Sequence, residues 1–445
     1  MRNLFDRKAY AKMLQWKAES KGTTALLIKG ARRVGKSTLV ETFAKKEYDS
    51  HIFIDFSIAP PEIHEIFNNI SDLNSVFLKL QAYYNVSLKK RRSVIVFDEV
   101  QRQPLARQAI KHLVKDGRYD YIETGSLISI RQNVKDIVIP SEEYRISLNP
   151  LDFEEFMWAI GKKMSFDYVR SCFEEKKPLG DVLHRRLMQD FRLYVLVGGM
   201  PQAVNAYLDK NDFTVVDNVK RSILELYDDD FMRIDGTGRS SRMFKAVPQQ
   251  LASNLMRYRI GNVLGRNSRP SLLEDTIINM GDSMTVSISY HANDPNVGMA
   301  LHGSLDRFKL YLADTGLFVT LAFMDKDMTE NVIYKKMLSN KLSADLGYVY
   351  ENVVAQMLRA AGHNNFYYTF PKDDTHLYEI DFLITKGSKV LPIEVKSSGY
   401  KTHKSLDAFS EKFSDRVLNK ILIYTKDLRC EGDVLFIPVY MTGLL

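Results

Sequence analysis

Cysteine is nearly missing from this chain of 445 residues: Cys172 and Cys430 are the only two. Two cysteines cannot build a disulfide framework or a cysteine zinc site. They fit a reducing compartment, so a cytoplasmic location is expected. Long apolar runs are also absent, which excludes membrane-spanning helices and a membrane partner. The first residues, Met1-Arg2-Asn3-Leu4-Phe5-Asp6-Arg7-Lys8, hold no apolar h-region and do not read as a signal peptide. No N-K-x-D motif occurs, which argues against GTP as a ligand. A strong charge of one sign is lacking too. The formal net charge is +7, with 45% hydrophobic and 26% charged residues, an ordinary soluble composition. A chain of this length holds two to four domains.

What is present begins with Gly30-Ala31-Arg32-Arg33-Val34-Gly35-Lys36-Ser37, followed by Thr38. The pattern is G-x-x-x-x-G-K-S. It lies between a strand-like run, Ala25 to Lys29, and a helical stretch from Thr38 to Ala44. That context makes it a phosphate-binding loop. The glycines let successive backbone N–H groups turn toward phosphates, Lys36 reaches the β- and γ-phosphates, and Ser37 ligates Mg²⁺. The expected nucleotide is ATP.

Ser93 to Glu99 is an apolar strand ending in two acids. Asp98 is expected to hold Mg²⁺ and Glu99 to polarise the attacking water. A third strand, Tyr119 to Thr124, runs into Gly125-Ser126. Thr124 and Ser126 are both candidates for a polar group that orients that water. Residues 1–151 thus read as a doubly wound α/β ATPase core.

The middle of the chain is basic. Residues 236–273 hold Arg239, Arg242, Lys245, Arg257, Arg259, Arg266 and Arg269 and no Asp or Glu. Such a cluster is the footprint of nucleic-acid binding, DNA before RNA. It equally suits a solvated face or an acidic protein partner. Residues 152–235 read as helices forming a lid over the nucleotide. Residues 236–335 read as a winged-helix-like domain, with a helix from Phe244 to Arg257, another from Pro270 to Met280, and a hairpin of Thr285–Tyr290 with Phe308–Ala313.

Residues 336–445 carry a second constellation. Asp381 begins one strand, and Glu394 and Lys396 share a face of the returning strand. Two carboxylates and a lysine so placed can bind Mg²⁺ and hold a water against a phosphodiester. D-x(12)-E-x-K is the PD-(D/E)xK nuclease pattern, and Glu351, on an upstream helix, is a further metal-side candidate. An ordinary salt-bridge ladder is the alternative. From Lys341 onward 13 Lys/Arg balance 13 Asp/Glu, which argues against a tight grip on DNA by this segment alone.

Taken together, these motifs resemble a prokaryotic AAA+-type ATPase family with a C-terminal domain of PD-(D/E)xK nuclease-like fold. The resemblance rests further on Gly125-Ser126, Asn149 to Phe156, Gly198-Gly199-Met200-Pro201, Lys309 to Leu317 and the closing Glu394-Val395-Lys396. Asp152 stands where the family usually has serine. Arg145 is retained from the family's glycine–arginine pair, which implies a sensor or arginine-finger role. The resemblance leaves two functions open. One is an ATP-dependent enzyme that processes nucleic acid. The other is an ATP-gated switch or scaffold whose nuclease-like domain binds nucleic acid or a protein without cutting. Homo-oligomers with an arginine supplied in trans are common among such ATPases.

Overall fold

Leu26, Leu27 and Ile28 are wholly buried, and so are Val94, Ile95 and Val96. Strands with no polar face must lie at the centre of a sheet covered on both sides. A computed structural model shows that arrangement. It describes residues 4–125, 141–253, 255–265, 273–296, 298–299, 303–324, 338–339 and 347–445. The chain divides into two compact bodies. One runs to Asn149 and includes Asp282–Met284; the other comprises Pro150–Gly281 and Thr285–Leu445.

In the first body, β1 (Ala25–Lys29), β2 (Ser50–Asp55), β3 (Ser93–Asp98), β4 (Asp120–Gly125) and β5 (Glu143–Ser147) form one sheet. Its order is β2-β3-β4-β1-β5, and all its pairings are parallel. The expected strands and the expected order of elements hold here. Helix α1 (Lys8–Ser20) and helix α2 (Lys36–Glu47) cover one face through Met13, Trp16, Val40 and Phe43. On the other face, α3 (Pro61–Ile66), α4 (Leu73–Tyr84) and α5 (Pro104–Asp116) pack around Phe67, Phe77, Phe97 and Ile110. The C-terminal ends of β1 and β3 therefore lie at one edge of the sheet, where open α/β sheets bind ligands.

A buried charge cluster holds the other part of this sheet. Arg107 is 1% exposed. It pairs with Glu123 of β4 at 3.1 Å and with Glu143 of β5 at 2.8 Å. Those two strands flank β1, so one guanidinium ties both neighbours of the loop-bearing strand.

The second body is built on an eight-stranded sheet. Its strands are β6 (Val286–Ala292), β7 (Gly303–Leu312), β8 (Phe366–Pro371), β9 (Leu377–Lys386), β10 (Lys389–Lys396), β11 (Lys420–Tyr424), β12 (Arg429–Glu431) and β13 (Val434–Pro438). The order is β12-β13-β11-β10-β9-β8-β6-β7. This corrects the expected winged-helix domain. The hairpin of β6 and β7 is present, but it is the edge of the C-terminal sheet, through Tyr290–Phe366 and His291–Tyr367. The expected helix from Phe244 to Arg257 is not continuous. It is replaced by Arg239–Lys245 and Val247–Ala252, because Pro248 offers no N–H and starts a new helix. The described part of the helix expected from Pro270 begins at Glu274.

The helices expected as a lid belong to this same body. Phe153 packs on Tyr440, His184 bonds the Tyr440 hydroxyl at 2.9 Å, and Gln356 Nε2 donates to the Tyr194 hydroxyl at 2.8 Å. Their apolar faces are buried by the C-terminal segment.

Three of the motifs behind the family resemblance meet at one joint. Leu151 N–H donates to the Gly199 carbonyl at 2.7 Å, and Gly199 N–H donates to Asp314 Oδ2 at 2.5 Å. A Cβ on Gly316 would stand 2.5 Å from Gly198 Cα, so these backbones touch only as glycines. Lys220 is buried beneath, donating to the carbonyls of Leu196 at 2.7 Å and Gly316 at 3.3 Å. Burial lowers its pKa to about 8, against the pull of Asp217 and Asp314. Asp152 explains itself here. Its Oδ1 accepts from Glu155 N–H at 2.9 Å while Glu155 Oε2 accepts from Asp152 N–H at 3.2 Å. That capping box does the work of the usual serine.

Candidate functional site

The glycine loop follows β1 directly and turns into α2. Gly35 takes φ +98° at the helix's N-cap, and Arg33 takes φ +68°. Gly30 has a different reason to be glycine: a Cβ there would lie 2.4 Å from the Leu148 carbonyl oxygen. The Arg32 and Arg33 side chains are exposed, whereas Ala31 and Val34 are buried and fix the loop to the core. Thr38, exposed, continues the first turn of α2.

Lys36 is buried, and its ammonium donates to the carbonyls of Gly30 at 3.1 Å and Ala31 at 3.0 Å. Ser37 Oγ donates to Asp98 Oδ1 at 2.9 Å. The Thr124 hydroxyl donates to the same carboxylate oxygen and accepts from Glu99 N–H at 3.3 Å. Four expected residues, Ser37, Asp98, Glu99 and Thr124, are thus brought together from α2, β3 and β4. Burial pushes the Asp98 carboxyl up, while the hydroxyls of Thr124 and Ser37 pull it back down. Ser37 Oγ and Asp98 are hard oxygen donors of the kind Mg²⁺ takes, so these residues fit that ion with a nucleotide supplying further oxygens.

Glu99 sits at φ +54°, just beyond the strand. Gln101 Nε2 donates to Glu99 Oε2 at 2.6 Å and so orients the carboxylate. Neither Gln101 nor Arg7 is signalled by the motif. The Arg7 guanidinium donates to the Val34 carbonyl at 3.2 Å and the Asn149 carbonyl at 2.5 Å, pinning the loop from outside. Arg145 is not brought to this site. Its Nε donates to Glu143 Oε2 at 3.2 Å. Glu143 lies beside Ala25, at the end of β1 opposite the loop. Ser126 lies outside the described residues.

The basic cluster is on the second body. Arg239, Arg242, Lys245, Arg257 and Arg259 are all exposed. Lys245 is paired with Asp228 at 2.7 Å. Arg266 and Arg269 lie outside the described residues. In the same body is a cavity of about 830 Å³ whose lining includes Arg185, Arg192, Tyr400, Lys426 and Arg429. Asp181 and Asp427 also line it, and its four Lys/Arg come from two distant stretches, Arg185 with Arg192 and Lys426 with Arg429, so no single run of sequence signals it.

The C-terminal constellation is also assembled. Beyond the pair Ile393–Phe382, Asp381 Oδ2 accepts from Val395 N–H at 2.7 Å. Lys396 pairs with Glu394 at 2.6 Å. Glu351, on the helix Gly347–Ala360, accepts from the Tyr311 hydroxyl at 2.6 Å and from Lys309 at 2.8 Å. Lys309 also stands 2.7 Å from Glu379. Burial works against the Lys309 charge, but Glu351, Tyr311 and Glu379 outweigh it and hold the ammonium firmly protonated. Burial, then Glu351 and Glu379, push Asp381 well above the usual carboxylate range. Strand periodicity puts Lys309 and Tyr311 on one face of their strand and Glu379 and Asp381 on one face of theirs, but it does not bring the two pairs together.

Here the expectation of Mg²⁺ fails. Among the described residues no three of His, Cys, Asp or Glu are placed to hold a metal ion together. One oxygen of each carboxylate is engaged, that of Glu351 by Lys309 and Tyr311, that of Asp381 by Val395 N–H and that of Glu394 by Lys396, so two ammonium groups already occupy the place an ion would take.

Comparison with known proteins bears on the two bodies separately. A family model described as an AAA domain matches residues 22–157. Two domains of unknown function match residues 188–328 (DUF8612) and 346–441 (DUF4143). The N-terminal body therefore carries an AAA-type P-loop ATPase domain. No curated protein matches the chain. Solved structures similar to it include a Signal Transduction ATPase with Numerous Domains with a tetratricopeptide repeat sensor, from Pyrococcus horikoshii. It is 12% identical with a TM-score of 0.29, over 81% of this chain and 46% of its own. This chain thus spans less than half the length of that protein. PCH-2 of C. elegans is 13% identical, TM-score 0.28, over 50% of this chain and 68% of its own. The Aeropyrum pernix ORC1 protein, solved in complex with DNA, is 11% identical, TM-score 0.25, over 76% and 94%. Scores this low fall short of a shared overall fold. Among the described residues no helix is long and apolar enough to cross a membrane.

Proposed function

We propose that the glycine-loop site binds ATP with Mg²⁺ and hydrolyses it. The observation that carries this reading is the meeting of Ser37, Asp98, Glu99 and Thr124 beside Lys36. The ion would be held by Ser37 and Asp98 and would neutralise charge on the phosphate oxygens. Lys36 would exchange its two loop carbonyls for phosphate oxygens, trading neutral acceptors for anionic ones. The backbone N–H groups of Gly30 to Ser37 supply the rest of the phosphate cradle. Glu99, oriented by Gln101, takes the proton of the attacking water. Thr124 keeps Asp98 and the backbone of Glu99 in register, as a water-orienting sensor residue would.

Lys36→Ala is expected to weaken binding of a fluorescent ATP analogue by about ten- to a hundredfold, the worth of one charge-assisted contact. Unchanged affinity would remove Lys36 from the phosphate site.

A second reading adds nucleic acid, DNA before RNA, as the partner on which ATP turnover acts. It is supported by the five exposed basic residues and by the basic lining of the cavity. Arg257 and Arg259 are the members to test first. Replacing both by Ala should weaken DNA binding and reduce the log–log salt slope by about 2, since each phosphate contact contributes about 1. Fluorescence anisotropy across a salt series measures this. A slope unchanged from wild type would leave these residues as a solvated face.

A further inference from the structure

The carboxylate cluster of the second body contains a cation of its own. We infer that Lys309 is a built-in counter-ion standing in for a divalent metal, so that the C-terminal domain works without metal and does not cut nucleic acid by metal-assisted hydrolysis. This goes beyond the ATPase reading and does not depend on it.

Lys309 is 5% exposed and lies on β7, the edge strand of the sheet. Its ammonium stands 2.8 Å from Glu351 and 2.7 Å from Glu379, bridging a helix and β9. Those are contact distances, so no cation of metal size can sit between the ammonium and either carboxylate. Tyr311 adds a neutral donor to Glu351 at 2.6 Å. Asp381 spends an oxygen on Val395 N–H, and Glu394 is paired with Lys396. Two buried carboxylate oxygens of this set have no hydrogen-bond donor, Glu379 Oε1 and Glu394 Oε2, and the first of them rests against the Lys309 ammonium at 2.7 Å. Oxygens faced by an ammonium in this way do not offer the near-octahedral coordination that Mg²⁺ demands. A divalent ion entering here would meet two ammonium groups already in place. It would also have to break ion pairs in a buried setting, where the partner left behind is costly.

The inference predicts its own reversal. With the ammonium removed, the Glu351, Glu379 and Asp381 carboxyls lose their counter-ion, and a divalent ion that displaces any proton they hold can take its place. The experiment is Mn²⁺ binding to the full chain followed by electron paramagnetic resonance. A Ser37→Ala, Asp98→Asn background removes the metal donors of the glycine loop, so failure here is distinct from failure of the ATPase reading. That background is expected to show no Mn²⁺ binding that depends on Asp381. Adding Lys309→Met is expected to tighten Mn²⁺ binding by about tenfold or more, and Asp381→Asn should abolish the gain. The Lys309→Gln variant, which keeps a hydrogen-bond donor, serves if the methionine variant does not fold, and is expected to gain the same site. Either of two results would overturn the inference. One is Mn²⁺ binding in the background protein that Asp381→Asn removes. The other is Mg²⁺- or Mn²⁺-dependent cleavage of DNA or RNA by wild type that Asp381→Ala abolishes.

Discussion

Replacing Glu99 by Gln is expected to lower ATP turnover by roughly 10²- to 10⁴-fold, the usual contribution of a positioned general base. ATP binding should survive, because the loop, Lys36, Ser37 and Asp98 are untouched. The amide keeps the size of the carboxylate and its contact with Gln101 but cannot take the proton of water. The geometry gives the change a clean reading. Glu99 leaves β3 at φ +54°, its backbone N–H is fixed by Thr124 at 3.3 Å, and its carboxylate is fixed by Gln101 at 2.6 Å. Glu99 is thus held at two points, its backbone by Thr124 and its carboxylate by Gln101. Parallel measurements of phosphate release and nucleotide binding separate the two effects. A variant that lost binding and turnover together would assign Glu99 to the architecture of the site instead.

Arg107→Leu should destabilise the N-terminal body by about 3–5 kcal/mol, the loss typical when one partner of a buried ion pair is removed. For a body of this size that is a fall in unfolding midpoint of roughly 10 °C. The substitution strands two buried carboxylates, Glu123 and Glu143, on the strands flanking β1. Burial already raises the Glu123 carboxyl, with Arg107 opposing and Glu143 adding to the rise. A carboxyl raised in the folded state loses stability as pH climbs from its ordinary range through its folded value. Without Arg107 that rise is larger, so the deficit should be smaller at a pH of about 5 than at about 8. Thermal unfolding at the two pH values checks both the size and the sign. The triple change Arg107→Leu, Glu123→Leu, Glu143→Met should recover much of the loss, since an apolar set of similar volume needs no counter-charge. An Arg107→Leu protein as stable as wild type at both pH values would mean that water reaches these groups.

The N-terminal body was legible in the sequence because its chemistry and its fold share one signal. A buried parallel strand reads as an unbroken apolar run, and the phosphate loop must follow such a strand. Residues 25–29, 36–47 and 93–98 therefore came out as expected. The second body was less legible because its sheet is assembled from distant pieces. The β6–β7 hairpin pairs with β8, some seventy-six residues away between Tyr290 and Phe366, and no local pattern reveals such a partner. Taken alone, helices followed by a hairpin looked like a winged module. Pro248 did carry a local warning of a broken helix. Asp381, Glu394 and Lys396 were recognisable by spacing. Lys309 and Glu379 were not, because an E-x-D or K-x-Y pair on a strand is common, and only the fold brings the two pairs to one another.

The motifs Gly198 to Pro201 and Lys309 to Leu317 illustrate a related point. They mark the resemblance strongly, yet four of their residues hold a joint. Gly198, Gly199, Asp314 and Gly316 fasten backbones that approach too closely for any side chain. Lys309 stands at the other end of its motif and belongs to the charge cluster.

The central claim is that ATP is hydrolysed at the glycine loop. Phosphate release by the purified full chain with ATP and Mg²⁺, wild type beside Lys36→Ala, tests it most directly. The account predicts steady turnover by wild type and turnover reduced to background in the variant. Equal rates in the two proteins, or no turnover by a wild-type protein that binds ATP, would contradict it.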